Sequence, residues 1–332
     1  MTTDLLNRAR AGDRDAFAAL VEPHRAELQA HCYRMLGSLQ DAEDAVQETL
    51  LAAWLGLAGF EGRASVRTWL YRVATNRCLN QLRSASRRPV AATPLPIAPP
   101  EPSRMNEAFW LQPYPDVLLD RLTDDAPGPE ARYESREAIS LAFVTALQVL
   151  PPNQRAVLLL RDVLGYRTAE TADLLGLSDD AVNGALKRAR ATLDASRPSG
   201  PPAPAPDSPA ERDLTERFVA AFSEFDIDAL MALMTDDVWL KMPPLPFEYH
   251  GRDAAREFLA ALHARRRRQI RMVPVRANGQ PAWGTYAPDA AGGVLHCNGL
   301  VVIALAGDRI AEITRFEPAV ACSFGLPRTL DA

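Results

Sequence analysis

Apolar residues recur every three or four positions through residues 10–88 and again through 130–196. Strand-like alternation is missing from both stretches, which predicts two all-α units. In the first, Ala42, Val46, Leu50 and Ala53 share one face of a helix, and Val66, Trp69, Leu70, Val73 and Leu82 mark the buried stripe of another. Ser38 stands three residues before Asp41, the spacing of a capping box, and predicts where the earlier helix starts. In the second unit, YRTAETADLLGLSDDAVNGALKRARATL (166–193) reads as helix, tight turn, helix. Thr168 is placed to cap the first helix, Gly176 to stop it with φ > 0, and Ser178 to cap the second. Val182, Leu186, Ala189 and Leu193 form that second helix's packing stripe. Beyond residue 210 the period changes. Helices over 211–224 and 227–234 precede DVWLKMP, a further helix covers 252–264, and QIRMVPVRA, AWGTYA, GVLHCNGLVVIAL and RIAEITRF read as strands. Gly307-Asp308 reads as a hairpin turn between the last two. Residues 210–328 are therefore expected to form an α+β domain with a curved antiparallel sheet.

Proline separates these units. RRPVAATPLPIAPPEP (87–102) opens a linker over 89–129, and RPSGPPAPAPDSPAE (197–211) contains a second over 197–209. The first linker also holds NEAFWLQPYPD (106–116), aromatic as well as proline-rich. At 332 residues, two or three domains are expected. A composition of 47% hydrophobic and 24% charged residues is that of a soluble protein. A net charge of −5 excludes a bulk polycation, so any nucleic-acid binding must come from local patches. No signal peptide or membrane span is read, and the four cysteines suit neither a disulfide framework nor a zinc site, which points to the cytoplasm. No metal or cofactor is called for.

Charge then distinguishes two neighbouring helices. DAEDAVQETLLAAW (41–54) lacks any Lys or Arg, and Asp41, Asp44 and Glu48 fall on one face with Gln47 beside them. From Gly62 to Pro100 there are seven arginines and no acid. Arg72, Asn76, Asn80 and Arg83 lie on a face away from the buried stripe. Arginines supply phosphate contacts and asparagines hydrogen-bond base edges, while Trp69 and Tyr71 are candidates for stacking on unpaired bases. On the second helix of the 166–193 motif, Asn183, Lys187, Arg188 and Arg190 oppose the packing stripe, as on a recognition helix. Gly184 in mid-helix fits either a close approach to the DNA backbone or a tight helix crossing.

HCYRMLGSLQDAEDAVQETLLAAW, then FEGRASVRTWLYRVATNRCLNQLR, then LPPNQRAVLLLRDVLGYRTAETADLLGLSDDAVNGALKRARATL closely resemble regions 2 and 4 of sigma-70 family factors, of the extracytoplasmic-function type. The resemblance implies core RNA polymerase as a partner, met at the β′ clamp helices and the β flap, and promoter DNA as the other. Asp41, Asp44, Gln47 and Glu48 would face the clamp helices. Arg63, Arg67, Arg72, Asn76, Arg77, Asn80 and Arg83 would melt and read the minus-ten element. Asn183, Lys187, Arg188 and Arg190 would read the minus-thirty-five element. The linker over 106–116 resembles that of sigma factors with an added C-terminal domain; it would either run through the polymerase cleft or pack against that domain. The competing class is a one-component regulator with a helix-turn-helix and a ligand domain.

Residues 210–328 resemble the SnoaL-like branch of the NTF2-like fold, a cone-shaped α+β domain. The pieces that carry the likeness are RFVAAFSEFDIDALMALMTDDVWLKMPP, YHGRDAAREFL, RANGQPAWGTY and GDRIAEITRFE. This fold implies an apolar pocket for a small molecule, with Trp239, Met242, Phe247, Tyr249, Phe258, Trp283, Tyr286, His296 and Phe316 as candidate lining. Two roles stay open: an enzyme with His296, Asp228 and Asp237 as the available acid–base groups, or a domain that regulates sigma activity in cis. No catalytic residue is assigned. HARRRRQIR (263–271) reads as a solvated helix end, a DNA contact or a dock for the acidic helix.

Overall fold

A computed structural model describes residues 2–62, 64–85, 98–105, 111–123, 138–195, 200–265, 270–288 and 293–331. Two compact units emerge: Met1–Arg88 with Val117–Arg197, and Pro89–Asp116 with Pro198–Ala332.

The first unit is helical. α1 (Thr2–Arg10) and α2 (Arg14–Val21) are followed by α3 (Arg25–Leu36), α4 (Leu39–Gly56) and α5 (Val66–Ala85). Ser38 Oγ accepts the Asp41 amide at 3.1 Å, so α4 starts where the capping-box spacing places it. Leu28, Cys32 and Met35 of α3, Ala42 and Ala53 of α4, and Leu70, Ala74 and Cys78 of α5 are fully buried. Trp69 stacks on Phe60 with ring centroids 4.7 Å apart and packs on a small cluster of Ala9, Ala16 and Leu57.

α6 (Asp116–Thr123), α7 (Leu141–Val149), α8 (Pro152–Leu158), α9 (Thr168–Leu175) and α10 (Asp179–Ala195) follow, α8 widening into a π turn over Leu159–Val163. α7 and α8 dock on the C-terminal end of α3. Gln148 and Arg155 make that joint: the Arg155 guanidinium donates to the carbonyls of Met35, Gln148 and Leu150 and to Gln148 Oε1, and Arg34 Nε donates to Ala138 O. The carbonyls that a helix leaves unpaired at its C-terminus are thus met by a cation.

The second unit is α+β. α11 (Pro209–Glu224) and α12 (Ile227–Leu233) lead into β2 (Met234–Lys241), β3 (Phe247–His250), α13 (Arg252–Arg265), β4 (Arg271–Ala277), β5 (Gln280–Pro288), β6 (Val294–Ala306), β7 (Arg309–Phe316) and β8 (Thr329–Asp331); β1 (Arg104–Met105) comes from the linker. The sheet order is β1-β3-β2-β7-β6-β5-β4, with β8 on the first residues of β6. Every pair is antiparallel except β2–β7, which is parallel, so the sheet is mixed rather than antiparallel throughout. Alternation within each strand finds hairpins but carries no sign of which distant strand becomes a neighbour.

Directly paired residues share a face of the sheet. Trp283 pairs with Val301, and that face is covered by Phe218 and Phe222 of α11, Leu230 of α12, and Ala255, Phe258 and Leu262 of α13. Gly284, Leu300 and Phe316 pair in a row on the opposite face. Leu326 lies against it, just after the 3-10 turn Pro318–Phe324.

The linker belongs to this unit. Arg104 and Met105 pair with Glu248 and Phe247, Tyr249 Oη donates to Pro100 O, and Ser103 Oγ accepts the His250 amide. Further on, the Tyr114 amide donates to Asn278 Oδ1, the Asn278 amide donates to Tyr114 O, and Pro115 bridges to Ala277. Of the two courses left open by the sequence, the described linker residues take the one against the C-terminal domain.

Candidate nucleic-acid and polymerase interface

On α4, Asp41 is half-buried, while Asp44, Gln47 and Glu48 are exposed. Leu51 and Leu55 continue the same face three, four and seven residues on, 60% and 74% exposed. The acidic face is therefore also an apolar one. Charge patterning does not mark these leucines; their sequence signal is a second apolar stripe opposite Ala42, Val46 and Ala53.

On α5, Arg72, Asn76, Arg77, Asn80 and Arg83 are all exposed along one side, and Asn80 Oδ1 accepts from Arg83 Nη1 at 3.1 Å. Arg67 stands apart. Its guanidinium binds Glu27 at 2.8 Å and lies 4.9 Å from the Tyr71 ring centroid. Arg63 lies outside the described residues. Tyr71 is 1% exposed, its hydroxyl donating to Glu27 Oε2, so its ring is not presented for base stacking, while Trp69 is half-buried and stacked on Phe60. Beneath this face, Thr75 gives its hydroxyl proton to Tyr71 O and must accept from His31 Nε2, 2.9 Å away. His31 is thus a neutral Nε2–H tautomer. Burial, aided by Arg34 and Arg67, pushes its pKa from the ordinary 6.5 down to about 3.

In the helix-turn-helix, Gly176 closes α9 with φ 65°, and Ser178 Oγ accepts the Ala181 amide. The N-cap of α9 is Arg167 rather than Thr168: Glu170 reaches back to the Arg167 amide, and Thr168, one position later, puts its hydroxyl 3.4 Å from Asn183 Oδ1. Asn183, Lys187, Arg188 and Arg190 are exposed on α10. Arg190 is committed to a two-toothed pair with Asp162 at 2.7 and 2.8 Å. A Cβ built on Gly184 would meet only Arg188 Nη1, at 3.4 Å. A tight helix crossing is therefore not the reason for this glycine.

The pocket candidates do not share one lining. Met242, Tyr249, Phe258 and Trp283 are buried in the helix-covered core, with Phe247 packed against it. Tyr286 and Phe316 are buried on the opposite face, where the Tyr286 hydroxyl donates to Pro327 O. Trp239 stacks on His250 at 4.2 Å with Lys241 Nζ over its ring, and His296 is exposed beside β8. The acid–base candidates also lie on the surface: Asp237 is exposed, and Asp228 is 85% exposed in a pair with Arg256. Residues 266–269 of the arginine run lie outside the described residues.

One cluster escaped the sequence reading. Asn278-Gly279 form the two-residue turn of the β4–β5 hairpin, both with positive φ, and the linker sits on its tip. Gly279 N donates to Asp116 Oδ1, and Arg276 at the hairpin's end contacts Asp116, Asp207 and Glu211. The Asn-Gly pair between two β-rich runs was a legible turn signal. Its contact with a segment more than 160 residues earlier was not.

Comparison with known proteins agrees with this division. The Sigma-70 region 2 model matches residues 20–88, the Sigma-70 region 4 model 140–193, and the SnoaL-like domain model 215–313. The ECF RNA polymerase sigma factor SigG of Mycobacterium tuberculosis is 46% identical over 330 residues, which span 97% of this chain and 86% of SigG. SigM of the same organism is 32% identical over 190 residues, 57% of this chain and 81% of SigM. The crystal structure of the M. tuberculosis extracytoplasmic function sigma factor SigJ shares the fold, with a TM-score of 0.63 and 22% identity over 94% of this chain and 99% of that one. With two sigma modules in order and close identity to SigG along nearly its whole length, the chain belongs to the extracytoplasmic-function RNA polymerase sigma factors, as a member with a SnoaL-like C-terminal domain.

Proposed function

We propose that this sigma factor binds core polymerase through the α4 face of Asp44, Gln47, Glu48, Leu51 and Leu55, and opens promoter DNA on the α5 face of Arg72, Asn76, Arg77, Asn80 and Arg83. The observation that carries the assignment is that the two faces have opposite character, are both exposed, and stand on neighbouring helices of one core. α10 reads the upstream element with Asn183, Lys187 and Arg188, while Arg190 fixes the angle of α10 through Asp162. Initiation then proceeds by binding energy alone: contacts to the extruded base offset an unstacking cost of a few kcal/mol. The protein works in the cytoplasm, where polymerase and promoter are.

The C-terminal domain regulates in cis and performs no catalysis. Support comes from the surface position of His296, Asp228 and Asp237 and from the linker's seat on the domain. Transcription reconstituted from purified core polymerase, this chain and a promoter library tests the whole reading: specific starts are expected, and their absence overturns it. A chain ending at Pro206 should initiate at a different rate from the full chain; an identical rate removes the regulatory role.

A further inference from the structure

β7 sends one cation to the helix-covered side of its sheet. Arg315 pairs with Val301, which pairs with Trp283, so all three share the face on which α11, α12 and α13 lie. The same face carries Arg276 on β4, opposite Pro281. That cation is answered by Glu211 at 3.1 Å, with Asp116 and Asp207 beyond. Arg315 has no such answer. Among the described residues it enters no ion pair, and its hydrogen bonding is confined to Nη2, which donates to Asn298 O. Asn298 is the extra residue of a β-bulge in β6, where Thr285 pairs with Gly299 and Tyr286 with Cys297.

A bulge carbonyl needs only a neutral donor, which a glutamine would supply without desolvating a charge. Burial lowers the pKa of Arg315, with Glu317 and Cys297 acting the other way, so the charge is held at a cost. Its Nε and Nη1 have no acceptor among the described residues, yet neither is sealed from solvent. These donors therefore meet water on a largely apolar side of the sheet. Gly299 keeps the space open: its φ is 146°, and a Cβ there would collide with Phe316 O and meet the guanidinium carbon at 3.4 Å. We propose that Arg315 anchors a ligand site on the helix-covered face, taking the carboxylate of a small molecule whose apolar body rests against the side chains around it. A carboxylate suits the site better than a phosphate. One guanidinium neutralises one charge, and the other arginine of this face is already paired with Glu211. Occupancy of the site is the input for regulation in cis; that use rests on the regulatory reading above, whereas binding does not.

The test is calorimetric titration of the full chain with benzoate, naphthoate and octanoate, each beside its neutral amide. At least one carboxylate should bind about tenfold more tightly than its amide, as a charge-assisted bond to a guanidinium requires. Arg315→Gln keeps a donor for Asn298 O and removes the charge, so it should erase that preference and leave the thermal midpoint nearly unchanged. Carboxylates and amides that bind alike or not at all, or a preference that survives Arg315→Gln, overturn the site. Displacement of the bound carboxylate by inorganic phosphate overturns the carboxylate class. Should Arg315→Gln fail to fold, Arg315→Lys decides: it keeps the charge without the fork and should weaken the preference, whereas a preference at full strength places the carboxylate elsewhere. Run-off transcription with core polymerase then reads the consequence. The carboxylate that binds should change initiation several-fold with the wild-type chain and leave Arg315→Gln unaffected. Binding without that change overturns the regulatory use alone, since the Pro206 truncation tests cis regulation independently.

Discussion

His31 lies between α3 and α5 as a neutral imidazole, its Nε2–H given to Thr75 and its Nδ1 without a hydrogen-bond partner among the described residues. Its folded pKa of about 3 lies below the ordinary 6.5, so below pH 6.5 the unfolded chain takes up a proton that the folded chain refuses. Stability is therefore lost as pH falls from 6.5 towards 3. At pH 5 the loss is about 2 kcal/mol relative to pH 7. Urea unfolding at pH 7 and pH 5 should show this slope, and His31→Gln should flatten it by that amount. Gly184 offers a second single-residue test. Its Cβ has room, so Gly184→Ala should stabilise the unbound protein by about 1 kcal/mol. If the glycine serves a close approach of DNA to α10, the same change lowers affinity for upstream-element duplex in a binding titration. Equal affinity would leave the glycine without a DNA role.

On the scale of elements, α4 and α5 divide the labour of the first module. Exposed ion pairs contribute about 0–1 kcal/mol each, whereas a leucine taken from water into an interface contributes about 1.5–3 kcal/mol. Leu51 and Leu55 should accordingly carry most of the α4 affinity, with Asp44 and Glu48 setting orientation and on-rate. Leu55→Ser is expected to weaken core polymerase binding by about tenfold. Asp44→Asn should cost less, and its effect should shrink as salt rises; a salt-insensitive loss in an equilibrium pull-down series would contradict the electrostatic role. On α5 the same logic separates Arg67 from its neighbours. Bound to Glu27, it braces the helix against α3, whereas Arg72, Arg77 and Arg83 face solvent. The helix is thus both a wall of the core and a polyanion surface, and Tyr71 belongs to the wall.

For the molecule as a whole, the joint between the two sigma modules rests on Arg155. Burial pushes its pKa down to about 10, and its partners are carbonyls and an amide oxygen at the end of α3 and around Gln148. Arg155→Ala should leave several buried carbonyls unpaired and cost about 3 kcal/mol of unfolding free energy, read from denaturant midpoints. A negligible change would mean that the α3–α7–α8 contact does not stabilise this unit. The sequence by itself determined what depends on near neighbours: the helices from their apolar period, the start of α4 from Ser38, the turn at Gly176, the order of the acidic and arginine-rich helices, and hence the family. The β4–β5 turn is legible in the same way, from Asn278-Gly279 between two β-rich runs. Only the tertiary structure decided which polar groups are spent inside the molecule. Arg67 is tied to Glu27 forty positions away, Tyr71 is buried, the pocket candidates fall on two faces of the sheet, and β2 and β7 run parallel. The linker's seat on Asn278 and Gly279 is of the same kind. Local propensity acts over a few residues, whereas these pairings are chosen by which surfaces the folded chain brings together, and nothing in a residue's own neighbourhood records that choice.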